Sequence, residues 1–198
     1  MAKPRSKGPF VRAGRRALHR RYEAAAEAGD TEAMIFLATI QAGDDPAASR
    51  AWFRRAAEAG NVHAMYIVGL FLEPHAPDAS RMWLERSAEG GYVDAIVKLG
   101  VLEQRDGDRA RAEELYVEAA EAGSAPAMFN LGLMFEKIDR AKAHLWYEKA
   151  AATGDAEAMF NLGRLIEAKD PDGARELWER AAAAGQPDAQ ARLQGPSS

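Results

Sequence analysis

Residues 148–163 read EKAAATGDAEAMFNLG. A helix-forming run of Glu148, Lys149 and three alanines meets Thr153 and Gly154, and Asp155 follows at once. Glycine closes a helix by taking left-handed backbone dihedrals, and aspartate accepts the free backbone N–H groups of a helix beginning after it. The stretch is predicted to stop one helix and start another with almost no loop, which makes the two antiparallel. Residues 118–132, EAAEAGSAPAMFNLG, repeat the arrangement 31 positions earlier.

With Gly154 as zero point, the same position recurs at Gly29, Gly60, Gly91, Gly123 and Gly185, at intervals of 31, 31, 32, 31 and 31 residues. A period of this length marks stacked structural repeats. Four residues after the anchor stands Ala in every copy (Ala33, Ala64, Ala95, Ala127, Ala158, Ala189), and Met or Ile follows in all but the last. Leu or Val sits eight past the anchor, then Gly or Ala: Leu37-Ala38, Val68-Gly69, Leu99-Gly100, Leu131-Gly132 and Leu162-Gly163. Upstream, small pairs such as Ala150-Ala151 precede the anchor, and bulky pairs such as Trp146-Tyr147 precede those. Asp45, Asp108, Asp139 and Asp170, fifteen residues before their glycines, are predicted N-caps of the upstream helix, with Pro46 and Pro171 in its first turn. Asp30, Asn61, Ser124 and Asp155 are predicted N-caps of the downstream helix.

A glycine inside a helix costs about 1 kcal/mol relative to alanine. The recurring Leu-Gly therefore needs a compensating gain. The expectation is a close helix crossing, with the Ala-Ala pair approaching the glycine and the Trp/Tyr pair filling the space above. The Met column reads as core filler at helical spacing.

Composition agrees. The chain of 198 residues is 47% hydrophobic but only 8% aromatic, so alanine carries much of the apolar content. That suits close-packed helices in one domain. Cysteine is absent, which excludes disulfides, thiolate nucleophiles and Cys-based zinc sites. No apolar run approaches the roughly 18 to 20 residues that span a bilayer, and a soluble, cytoplasmic protein is expected. Charge is uneven. Residues 1–21 carry Lys3, Arg5, Lys7, Arg12, Arg15, Arg16, Arg20 and Arg21 with no acid, while residues 22–198 hold 18 basic against 30 acidic residues, a net −12. The body is a poor general binder of nucleic acid. The pattern of Pro4, Gly8, Pro9 and Gly14 among charges predicts a disordered basic arm over 1–14, the repeats over 15–195 and a tail over 196–198.

The pattern A-x-x-WYEKAA-x-x-G-D-x-x-A-M-F-N-L-G resembles the Sel-one-like repeat family, short relatives of tetratricopeptide repeats, over nearly the whole chain. The resemblance implies an all-α fold: a right-handed superhelical solenoid of about six helix-turn-helix repeats, used as a protein-interaction scaffold. It also implies that the outward arc of the downstream helices lines a concave groove. That arc holds His63, Asp94 and Glu157 three past the anchor, and Tyr66, Val97, Phe129 and Phe160 six past it. Lys98, Asn130 and Asn161 follow at the next position, and Arg164 stands ten past. These are the candidate partner-binding residues. The rings six past the anchor have two open readings, as anchors for a partner or as packing between neighbouring repeats. The Asn130 and Asn161 amides are expected to be more exposed, either contacting a partner or capping local structure.

Nothing in the sequence points to catalysis. A phosphate-binding loop, a dinucleotide glycine pattern, H-E-x-x-H and a nucleophile elbow are all missing. His19, His63, His75 and His144 fall at unrelated offsets without ligand spacing. No catalytic residue, metal, cofactor or small-molecule substrate is expected. The expected partner is a protein or peptide, with nucleic acid or anionic membrane contacted only through residues 1–21. For the arm, solubilisation, docking of that kind, and folding back on the groove remain open.

Overall fold

The computed structural model describes the backbone of residues 9–194 and the side chains of residues 18–194. Of the arm expected over 1–14, residues 1–8 lie outside the described residues, as does the tail 195–198. Among the described residues the fold is all-α, a solenoid-class array of helical repeats. The helices are α1 (Pro9–Glu27), α2 (Thr31–Gln41), α3 (Pro46–Glu58), α4 (Val62–Leu72), α5 (Pro77–Glu89), α6 (Val93–Asp106), α7 (Arg109–Glu121), α8 (Ala125–Phe135), α9 (Arg140–Ala152), α10 (Ala156–Ile166), α11 (Pro171–Ala183) and α12 (Pro187–Gln194). Helices α1 and α2, α3 and α4, α7 and α8, α9 and α10, and α11 and α12 pair as hairpins of the expected kind, α1 beginning at Pro9. Two compact units divide the chain, residues 1–95 and 96–198. None of the described helices is long and apolar enough to cross a membrane.

Helix ends follow from the residues placed there. At Gly154, φ is +95°, its N–H bonds the Ala151 carbonyl at 3.1 Å, and the Asp155 N–H reaches back to the Ala150 carbonyl at 3.3 Å. That pair of bonds is the Schellman closure. The Asp155 carboxylate then accepts the Ala158 N–H at 2.8 Å and opens α10. The other five anchor glycines also have positive φ. Asp45, Asp108, Asp139 and Asp170 cap α3, α7, α9 and α11. Helix α5 lacks a side-chain cap, because Ala76 holds that place before Pro77.

The Leu-Gly pair has a different purpose from the expected crossing with the Ala-Ala pair. A Cβ built on Gly132 would stand 2.4 Å from Tyr147 Cδ1, and one on Gly100 would stand 2.6 Å from Tyr116 Cε1. On Gly163 it would meet Trp178 Nε1 at 2.4 Å, and on Gly69 Leu84 Cγ at 2.8 Å. Each glycine is a socket for one bulky side chain of the helix that follows it. Tyr116, Tyr147 and Leu84 are wholly buried there. Burying such a side chain contributes about 2–3 kcal/mol, which outweighs the glycine's cost. The Ala pairs fill the hairpin interior instead, with Ala56, Ala57, Ala119 and Ala150 fully buried. In the Met column Met34, Met65 and Met159 are buried, with Ile96 in the same place, while Met128 is half-buried.

Candidate functional site

Unit 1, residues 1–95, carries the densest group of candidate residues. His63 and Tyr66 share one face of α4, and Asp94 stands exposed in the first turn of α6. Between them lies Tyr92, which follows Gly91 directly. Its ring centroid is 5.2 Å from that of Tyr66 and 5.6 Å from that of His63, tilted by 45° and 36°. All three rings are half-buried. Burial, with the Asp94 charge beside it, raises the Tyr66 hydroxyl above its ordinary range. Burial, the Asp94 charge, a hydrogen-bond interaction with that carboxylate and the Tyr66 phenol do the same to Tyr92. Both phenols therefore stay neutral beside an exposed carboxylate, and aromatic faces next to a negative charge attract cations.

The sequence pattern misses Tyr92. The position after the anchor usually holds a helix cap, and at Asn61 and Gln186 its side chain also touches the preceding repeat. Asn61 Nδ2 donates to Glu32 Oε1 at 3.3 Å in this way. In unit 2, residues 96–198, Gln186 Nε2 donates to Glu157 Oε2 at 3.4 Å. Tyr92 replaces that amide with a ring, and His63 replaces the glutamate it would meet. An aromatic residue at a capping position was the available signal.

The candidates in unit 2 are arranged differently. Val97 and Lys98 are half-buried on α6, and Phe129 and Asn130 are half-buried on α8. Phe129 packs against the Tyr147 ring, with centroids 5.9 Å apart, and Phe160 is half-buried on α10. Asn161 departs from the expected exposure. It is only 8% exposed, its Nδ2 donates to the Glu157 carbonyl at 2.9 Å, and its Oδ1 accepts from Arg164 Nη1 at 2.7 Å. Arg164 Nη2 also donates to Glu136 Oε1 at 3.3 Å, while Glu136 Oε2 accepts the Tyr147 hydroxyl proton at 2.8 Å. The amide is drawn inward because the Glu157 carbonyl and the Arg164 guanidinium, itself held by Glu136, satisfy it. Glu157 is exposed.

Among the described residues no group of three or more metal-ligating side chains converges. His19 and His144 pair instead with Glu23 and Glu148 one helical turn away, at 3.3 and 3.9 Å.

Comparison with known proteins agrees with this geometry. The chain matches the Sel1 repeat over residues 31–61, 63–92, 93–124, 125–155 and 156–186. That frame joins each downstream helix to the upstream helix after it, so each glycine socket and the side chain it receives fall within one repeat. A solved structure of a protective antigen from uropathogenic Escherichia coli strains, displaying an SLR fold, is 30% identical, with a TM-score of 0.79 over 88% of this chain and 43% of that one. This chain thus spans less than half the length of that protein. A Sel1 repeat protein from Oxalobacter formigenes is 22% identical, with a TM-score of 0.77 over 88% of both chains. An immunity protein from Pseudomonas aeruginosa is 21% identical, with a TM-score of 0.61 over 98% of this chain and 78% of that one. No curated protein sequence matches the chain.

Proposed function

Because this chain belongs to the Sel1 repeat family, commonly a protein-interaction scaffold, we propose that it is a non-enzymatic scaffold that binds a protein or peptide through the exposed faces of its downstream helices. The cluster of His63, Tyr66, Tyr92 and Asp94 carries the reading. Three half-buried rings beside an exposed carboxylate form a receptor for a basic side chain of the partner. The partner's guanidinium or ammonium pairs with Asp94 and lies against the Tyr66 and Tyr92 rings. In unit 2, Phe129, Asn130, Phe160 and Val97 offer half-buried apolar and amide surface to the same kind of partner, with Lys98 at their side. Asn161 and Arg164 act there by holding the helix faces in position.

The test is quantitative affinity purification with the wild-type chain and with Tyr66→Ala plus Asp94→Asn. The expected result is a set of captured proteins that the double variant loses while its melting curve stays close to wild type. Capture of the same set at the same yield would remove the cluster from the binding surface.

A second reading rests on the eight basic residues of 1–21, an adaptor whose arm attaches it to nucleic acid or anionic membrane. Deleting residues 1–14 would then weaken a binding that itself falls steeply with salt. Tighter partner binding after deletion would point instead to an arm that competes for the groove.

A further inference from the structure

Within unit 1 a second surface is separate from the ring cluster. Helices α3 and α5 leave a seam floored by the last turn of α4, with a volume of about 670 Å³. Its walls include Arg50 and Arg54 from α3 and Met82 and Trp83 from α5, and its floor includes Phe71 and Leu72. Phe71 is 42% exposed and Met82 is 48% exposed. Large apolar side chains bared together in one concave seam are a mark of an interaction surface.

Unit 2 finishes the corresponding place differently, although a hollow of about 580 Å³ remains beside Arg140 and Leu165. There Arg140, fourteen residues before its anchor glycine, donates through Nη2 to the carbonyl of Leu165, eleven after it, and Leu165 is 9% exposed. Arg109 donates to the Met134 carbonyl in the same way, and Met134 is 6% exposed. Pro46 and Phe71 hold the matching places in unit 1. Proline has no side-chain donor to reach across, and Phe71 is exposed.

We propose that this seam is a docking site for a short segment of a partner protein that presents a large apolar side chain beside one or two carboxylates. Charge complementarity selects that chemistry. Both of the charged side chains lining the seam, Arg50 and Arg54, are cationic, within a body of net −12. Arg54 shares its charge with Glu58 at 3.0 Å, whereas Arg50 has no carboxylate partner among the described residues. The apolar side chain covers Phe71 and Met82, and the carboxylate takes Arg50.

The test is selection from a displayed library of random peptides on the full chain, followed by binding of the winners to two variants. Phe71→Ser with Met82→Ser removes the floor, and Arg50→Glu reverses the rim on an exposed residue without touching the core. The expected winners carry a bulky apolar residue flanked by Asp or Glu. They lose affinity by about tenfold or more on the first variant and by about three- to tenfold on the second. A selection without winners, basic winners, or winners that bind both variants as they bind wild type would overturn the assignment. So would concentration-dependent self-association in sedimentation that both variants abolish, since the seam would then belong to a second copy of this chain.

Discussion

Units 1 and 2 are built on the same repeat and finish it differently. In unit 2 polar side chains reach over the apolar ones. Arg109 and Arg140 donate to the Met134 and Leu165 carbonyls, and the Tyr147 hydroxyl is tied to Glu136, which Arg164 also holds. In unit 1 the matching places carry Pro46 at the seam and Leu84 in the socket of Gly69, neither of which has a polar group to offer. The backbone frame tolerates both solutions because caps and glycine closures hold it in either case. The difference teaches that repeat geometry and surface finish are set by separate positions. The first is shared by all copies, and the second is where binding chemistry enters.

The largest expected effects lie at the sockets. Gly132→Ala drives a methyl into the wholly buried Tyr147 ring, which cannot retreat while its hydroxyl is held by Glu136. We expect a loss of about 2–3 kcal/mol, read by urea unfolding. Gly69→Ala meets Leu84 carbons at 2.8 and 2.9 Å, whose rotamer can adjust, and the Ser80 carbonyl at 3.3 Å, and should cost about 1 kcal/mol. Adding Tyr147→Leu to Gly132→Ala should return part of the loss. Equal costs at the two glycines would show that the polar tether does not stiffen unit 2.

Alkaline pH separates the units next. Burial pushes the Tyr116 hydroxyl up to about 12, and burial with the Glu136 hydrogen bond and charge raises Tyr147 further, against the opposing charge of Arg164. Above pH about 10 the unfolded chain releases these protons while the folded chain keeps them. Folding stability contributed by the two tyrosines is therefore complete below pH about 10 and is lost as pH rises toward 12 and beyond. The buried side chains in the matching sockets of unit 1 include Phe53 and Leu84, which do not titrate. Tyr116→Phe with Tyr147→Phe should flatten the decline seen in denaturant melts between pH 9 and about 11.5. An unchanged decline would move its origin to the Tyr66 and Tyr92 phenols.

How much of this could be read in the sequence follows the same division. Gly154 and Asp155 announce their local hydrogen bonds in their own chemistry, so helix ends and hairpin register were legible. The partner of Gly132 was not, because a helical period names a face and leaves open which neighbouring helix meets it. Tyr147 lies fifteen residues further on, and only packing brings it into the socket. Among candidate site residues, His63, Asp94 and Tyr66 come from two positions of one helical arc, whereas Tyr92 entered from a capping position. Asn161 looked like Asn130 by spacing. Arg164, one turn later, draws it inward, and the equivalent residue after Asn130 is Leu133, which cannot. The seam rests on residues 25 apart with no shared motif, and the contrast of Pro46 with Arg109 and Arg140 appears only once the helices are packed.

Removing a clamp should have a moderate effect. Arg140→Ala frees the Leu165 carbonyl and should cost about 1 kcal/mol. Its sharper readout is access. The chain has no cysteine, so Leu165→Cys introduces a single reporter, and alkylation of that thiol should accelerate when Arg140→Ala is added. An unchanged rate would mean that the guanidinium does not cover the seam.

Installing the missing clamp is the smallest change in stability and the most direct test of the comparison. Pro46→Arg places a donor where Arg140 stands in unit 2, fourteen residues before the anchor glycine. It gives up proline's restriction of the unfolded chain, worth about 0.4–1 kcal/mol, and gains a hydrogen bond worth about 0.5–1.5 kcal/mol. The two nearly cancel, so the melting curve should barely move. The Asp45 cap on the Ala48 N–H is untouched by the exchange. With Phe71→Cys as reporter, alkylation should be faster than at Leu165→Cys in the otherwise native chain, and Pro46→Arg should slow it toward the unit 2 rate. If the thiol at 71 reacts equally fast with Pro46 or with arginine, the openness of the seam comes from the α3–α5 separation itself, and the proline is incidental to it.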